Sequence, residues 1–191
     1  RAVYIGLENG YPIGNNLTNI NRFYQLGARY ITLCHTRNND ICDSSTDTTE
    51  HNGVTEFGKE VIAEMNRSGM MVDISHVSDK SFYDAIQLSK TPVIASHSCA
   101  RALCDNPRNL SDDMLKALAD NGGVIQMCIL SSYVKTPLPN PDRDSAQAAL
   151  RAKYNGFKNL PDSVMTIARN EWYEIDEVFP QVLATVEDVV D

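Results

Sequence analysis

Apolar residues gather in five short runs: "AVYIGLE" (2–8), "RYITLCH" (29–35), "MMVDISH" (70–76), "TPVIASH" (91–97) and "GGVIQMC" (122–128). Each is rich in β-favouring residues and alternates only partly, as expected of parallel strands buried on both faces. Between the runs the apolar spacing becomes helical. "NLTNINRFYQLG" sets Leu17, Ile20, Phe23 and Leu26 on one face before Gly27. "TEFGKEVIAEMNRSG" sets Phe57, Val61, Ile62 and Met65 inward, with Thr55 as N-cap and Gly69 as stop. "SDKSFYDAIQLSK" starts a helix at Ser78 or Asp79. "SDDMLKALADNG" starts one at Ser111, turns Met114, Leu115 and Leu118 inward and stops at Gly122. The order β-α-β-α-β-α-β-α-β predicts an α/β protein built from parallel β/α units.

After Cys128 the texture changes. A proline-rich connection, "KTPLPNPDRD", leads to two polar helices at about 143–154 and 161–177, the second holding Trp172. Residues 129–184 therefore read as a helical insertion within a single domain spanning 1–191. The loop 36–55, "TRNNDICDSSTDTTEHNGVT", reads as too polar to pack a core, and loops of that length are usually functional or disordered.

Composition excludes more than it assigns. A net charge of −8 argues against nucleic acid and anionic membrane as partners. No apolar stretch approaches the roughly 20 residues of a membrane span. Cys34, Cys42, Cys99, Cys104 and Cys128 have no disulfide-framework or C-x-x-C spacing and read as small apolar residues. The chain opens on Arg1 and closes on "ATVEDVVD", which reads as an excised piece of a longer protein and leaves the cellular location open.

In parallel β/α units the last residues of the strands share the carboxyl edge of the sheet, where ligands bind. Here those residues are Glu8, His35, His76, His97 and Cys128. A lone strand-end histidine is more often a hydrogen-bonded core or loop residue. Three beside a glutamate have the composition of a site for zinc or a similar ion. Glu8 could instead cap a helix or bind a lysine, although its place between a strand and "NGYPIG" disfavours that. His51, in the polar loop, reads as solvated. Arg108 precedes a helix capped at Ser111, where a cation opposes the helix dipole, so it is either an anion holder or a surface arginine. Asp112 and Asp113 simply favour that dipole.

These residues lie in "GLENGYPIG", "LGARYITLCH", "MVDISHVS", "PVIASHSCARALCDNPRNLSDD" and "NGGVIQMC". Together, in order and spacing, these motifs resemble the zinc dipeptidases related to mammalian renal (membrane) dipeptidase, from about residue 3 to 135. The resemblance implies a TIM-type (β/α)8 barrel, of which about five of eight strands are present, with two zinc ions at its carboxyl edge. It implies that Glu8 bridges the metals and that His76 and His97 ligate the second. His35 would contact substrate and stabilise the tetrahedral intermediate, and Arg108 would hold the substrate's terminal carboxylate. Tyr133 is expected to line the substrate wall. The reaction implied is hydrolysis of a dipeptide with a free C-terminal carboxylate by a metal-bridging hydroxide.

The family's His-x-Asp ligand pair would lie before Arg1 and its later aspartate after Asp191, and a barrel takes about 250 residues. Cys104 matches one half-cystine of the mammalian enzyme, whose partner position falls at Thr136. The expectation is thus a dipeptidase fragment, inactive alone, completed by self-association or by further segments of the same protein. The alternatives are an amidohydrolase-type enzyme acting on a lactone or N-acyl substrate, or a non-catalytic fragment.

Overall fold

A computed structural model describes residues 3–190. Arg1, Ala2 (placed by its sequence in the first strand) and Asp191 lie outside the described residues. Five parallel strands stand side by side in chain order: β1 (Ile5–Leu7), β2 (Ala28–Thr32), β3 (Met71–Asp73), β4 (Ile94–Ser98) and β5 (Val124–Met127). The helices between them are α1 (Thr18–Gln25), α2 (Glu56–Ser68), α3 (Asp79–Leu88) and α4 (Asp112–Asp120), and the short α5 (Ser131–Val134) follows β5. This is the curled half-barrel of β/α units expected from the sequence.

Caps fix most helix starts. Thr55 Oγ1 accepts from Gly58 N at 2.9 Å, Ser78 Oγ from Ser81 N at 3.1 Å and Ser111 Oγ from Met114 N at 3.3 Å. Gly69, at φ +74°, ends α2 in the left-handed conformation that glycine adopts without strain. The apolar faces meet the sheet in one core that includes Ile20, Ile31, Val61, Ile62, Met65, Val72, Phe82 and Leu118. Leu26 departs from expectation. α1 stops at Gln25, and Leu26 turns out to solvent, 73 % exposed.

The strands are shorter than the apolar runs, and this changes where the histidines sit. Only His97 lies within a strand; Glu8 follows β1 directly, while His35 and His76 each lie three residues beyond β2 and β3. The physical cause at β3 is Asp73. Its Oδ1 accepts from Ser75 N at 3.1 Å, and this local turn takes a backbone donor out of the ladder.

Loop 36–55 overturns its sequence reading. Ile41 and Cys42 are buried members of the core, and Asp43 beside them is 1 % exposed. The Asp43 carboxylate collects the N–H groups of Glu50, His51 and Gly53 at 3.0–3.2 Å, so the polar loop wraps around an anion that it satisfies. Burial pushes the Asp43 carboxyl up. The N–H donors of His51, Gly53 and Glu50, with the His51 side chain, pull it down and prevail, leaving it below its ordinary 3.8. α2 clamps the loop at Gly58, where a Cβ would come within 2.2 Å of the Ile41 carbonyl oxygen. Cys34, Cys42, Cys99 and Cys104 are buried, in keeping with an apolar role.

Residues 3–134 form one compact unit and 135–190 a second. The second contains α6 (Pro141–Lys153), α7 (Asp162–Val178) and α8 (Glu187–Val190). Leu150 of α6 and Ala168 of α7 are buried, and ion pairs join the two helices: Arg143 to Asp176 at 2.7 Å and Lys153 to Glu171 at 2.7 Å.

Candidate metal centre

The buried polar residues Thr32, Asp73, Ser75, His76 and Ser98 cluster at the carboxyl ends of β2, β3 and β4. Burying such groups is costly unless they are hydrogen-bonded; Asp73 serves Thr32 and Ser75, whereas Ser98 Oγ and His76 Nδ1 have no partner among the described residues. Asp73 Oδ1 accepts from Ser75 N and Ser96 N at 3.1 and 3.0 Å; its Oδ2 accepts from Thr32 Oγ1 and Ser96 Oγ, both at 2.6 Å. One carboxylate therefore ties together the ends of three strands. Ser96 Oγ in turn lies 2.8 Å from His97 Nδ1, and Ser75 Oγ accepts from His97 N at 3.0 Å.

His76 is placed differently. It adopts φ +74°, unusual for a residue with a Cβ, and its carbonyl is held by Ser45 N at 2.8 Å and Ser44 Oγ at 3.3 Å. Loop 36–55 thus fixes the backbone turn that aims this ring back over the sheet edge.

Three ligand atoms converge there. Glu8 Oε1 lies 3.0 Å from His76 Nε2 and 3.2 Å from His97 Nε2, and the two Nε2 atoms are 2.9 Å apart. Donors around a tetrahedral zinc with bonds of about 2.05 Å stand roughly 3.3 Å apart, close to this spacing. His76 is almost fully buried, whereas Glu8 is half exposed, so the cluster opens to solvent on one side. Burial, with the nearby Arg108, His35 and His97, pushes the His76 imidazole down to about 3. At neutral pH His76 is therefore uncharged, the form that binds metal. Among the described residues, Glu8, His76 and His97 form the group with metal-site geometry, and the donor set fits zinc.

His35 lies against this cluster without joining it. Its ring packs on His76 at a centroid distance of 4.2 Å, and its Nε2 is 3.7 Å from Glu8 Oε1. Arg108 is buried, which removes the surface reading. Its Nη2 donates to the His97 carbonyl at 3.5 Å, its Nε has no hydrogen-bond partner, and its guanidinium lies 5.4 Å from the centre of the Tyr133 ring. Among the described residues no carboxylate lies within ion-pair distance of it. His51 is exposed, with its Nε2 4.0 Å from Glu50. Cys128 contributes backbone only: its N–H donates to Ser98 and its carbonyl accepts from Cys99 Sγ.

Sequence reasoning missed Asp73, Ser96 and Asn109. Asn109 is fully buried; its Nδ2 donates to the carbonyls of Cys104 and Tyr133, and its Oδ1 accepts from Cys99 N. It fastens the segment carrying Arg108 to the one carrying Tyr133. The signal for Asp73 was present, because an acid inside "MMVDISH" needs buried partners.

The family model for membrane dipeptidase (peptidase family M19) matches residues 1–191. The chain belongs to this family. Rat Dipeptidase 3 is 42 % identical over 196 residues, a match taking in 97 % of this chain and 38 % of the rat protein. The crystal structure of the probable dipeptidase PvdM from Pseudomonas aeruginosa superposes with a TM-score of 0.77 at 28 % identity, over 97 % of this chain and 51 % of that one. A metallopeptidase from Rhodobacter sphaeroides, crystallised with a phosphinate mimic of the dipeptide L-Ala-D-Ala, matches with a TM-score of 0.65 at 31 % identity, over 69 % of this chain and 39 % of that one. The chain thus spans about half or less of the length of these proteins.

Proposed function

We propose that this chain carries a large part of the active site of a zinc-dependent dipeptidase, with Glu8, His76 and His97 as metal ligands. The observation that carries the reading is the convergence of three ligand atoms within 3.2 Å beside a buried guanidinium that has no carboxylate partner among the described residues. Glu8, His76 and His97 would hold the metal, which when bound would supply an activated water at neutral pH and a Lewis acid for the scissile carbonyl.

The remaining groups divide the work on substrate. Arg108 takes the free C-terminal carboxylate, for which a planar guanidinium offers two parallel donors. Tyr133 stacks on that guanidinium and forms the adjoining wall. His35, half exposed beside Glu8, donates a hydrogen bond to the oxygen that gains charge as the carbonyl becomes tetrahedral. Arg108 lies beside a proposed ligand, its Nη2 donating to the His97 carbonyl at 3.5 Å, so the clamp favours short peptides.

The test is zinc content by elemental analysis, followed by a substrate panel on the whole protein. Dipeptides should be turned over, and their C-terminally amidated forms should lose most of that rate. Absence of bound zinc would sink the ligand assignment. Equal turnover of amidated forms would sink the clamp, and preference for lactones or N-acyl amino acids would favour an amidohydrolase in place of a dipeptidase.

A further inference from the structure

Ser96 Oγ sits between two acceptor-capable atoms, Asp73 Oδ2 at 2.6 Å and His97 Nδ1 at 2.8 Å. A serine hydroxyl has one proton. The short contact to a buried carboxylate takes that proton, because two oxygens at 2.6 Å with no hydrogen between them would repel and a charge-assisted bond is the stronger one. Asp73 cannot turn away, since its Oδ1 is held by the backbone N–H groups of Ser75 and Ser96 and its Oδ2 also accepts from Thr32. Ser96 Oγ then has only lone pairs to offer His97, so Nδ1 must carry the hydrogen. A neutral imidazole protonated at Nδ1 has its free lone pair on Nε2, the atom that faces Glu8 and His76.

We propose that Asp73 and Ser96 are positioning residues that lock His97 in the Nδ1–H tautomer and so hold its Nε2 ready to ligate. This rests on the metal reading given above for its purpose, but the tautomer itself does not. His76 has no such support: its Nδ1 is buried without a hydrogen-bond partner among the described residues. The two histidines are thus held by different means, His97 by a polar relay running back into the sheet and His76 by its backbone turn.

The relay predicts a reversal as well as a loss. In Asp73→Asn the amide oxygen stays with the two backbone N–H groups, which can only donate, and the amide NH2 replaces Oδ2. That NH2 now donates to Ser96 Oγ, the hydroxyl turns to donate to His97 Nδ1, and the hydrogen of His97 moves to Nε2.

The experiment is long-range proton–nitrogen NMR of the imidazoles in the metal-free 191-residue chain at alkaline pH, with calorimetric titration of zinc chloride alongside. The unsubstituted chain should show His97 protonated at Nδ1, and Asp73→Asn should show it protonated at Nε2. Ser96→Ala should lose the preference, and Ser96→Thr, which keeps the hydroxyl, should restore it. Zinc affinity should fall about 10–100-fold in Asp73→Asn and Ser96→Ala. An Nε2–H tautomer in the unsubstituted chain, or no change of tautomer in either variant, would overturn the relay. Failure of the unsubstituted chain to take up zinc would overturn the metal reading instead, with the NMR result still deciding the relay.

Discussion

The Nε2 atoms of His76 and His97, 21 positions apart in the chain, lie 2.9 Å from one another and share Glu8 Oε1 as a third neighbour. Burial holds the His76 imidazole neutral at physiological pH, so His76 itself brings no positive charge to Glu8. Zinc bound there, on the reading proposed above, would bring positive charge to Glu8 and should stabilise the fold by mass action. At a free concentration a hundred times the dissociation constant the gain is about 2.7 kcal/mol. Urea unfolding with zinc and with chelator should show that difference in the unsubstituted chain and none in His97→Ala. An equal shift in the variant would place the zinc elsewhere.

His76 combines a proposed ligand role with a strained backbone, and the two can be separated. At φ +74° a residue with a Cβ pays a conformational penalty that glycine does not. In chelator, His76→Gly should therefore be more stable than His76→Ala by about 1 kcal/mol, while both fail to bind zinc. Equal stability of the two would mean that the surrounding loop, and not the residue, sets the turn.

The convergence of Glu8, His76 and His97 was legible in the sequence because each ends an apolar run, and parallel strands bring run-ends to one edge. The runs overstated the strands. At "MMVDISH" the ladder stops at Asp73, whose side chain captures Ser75 N, and a pattern of apolar positions does not register that competition. Loop 36–55 misled for a related reason. Its polarity is directed inward, onto the Asp43 carboxylate, so composition suggested a solvated segment where the chain builds a buried wall. Arg108 stayed ambiguous because burial is a tertiary property; a helix start alone does not distinguish a covered guanidinium from an exposed one.

Asp43 gives the loop a pH dependence of known sign. Its folded carboxyl lies below the ordinary 3.8, so the folded state prefers the anion. The resulting stabilisation is fully present above the unfolded value and is lost as pH falls through the folded one. Urea midpoints should therefore decline below about pH 4, and Asp43→Asn should flatten that decline while lowering stability at pH 7. Its structural effect should reach the site, because Ser44 and Ser45 hold the His76 carbonyl. A variant with the same acid limb as the unsubstituted chain would show that other carboxylates govern it.

Arg108 offers a separation between stability and binding. A buried guanidinium without a carboxylate partner is a cost to the fold, met among the described residues by the Tyr133 ring and one long bond to the His97 carbonyl. Arg108→Met keeps much of the side-chain volume and removes the charge. Its stability in urea should equal or exceed that of the unsubstituted chain, as expected where a residue serves a ligand and not the core. In the whole protein the same change should weaken binding of a dipeptide carboxylate by about 2–3 kcal/mol, roughly a hundredfold, because the substrate's charge loses its partner. Arg108→Lys should recover only part of the loss, since a point charge lacks the paired donors. A destabilisation of about 3 kcal/mol in Arg108→Met, with dipeptide binding unchanged, would instead make Arg108 a strut between the β4 edge and α5.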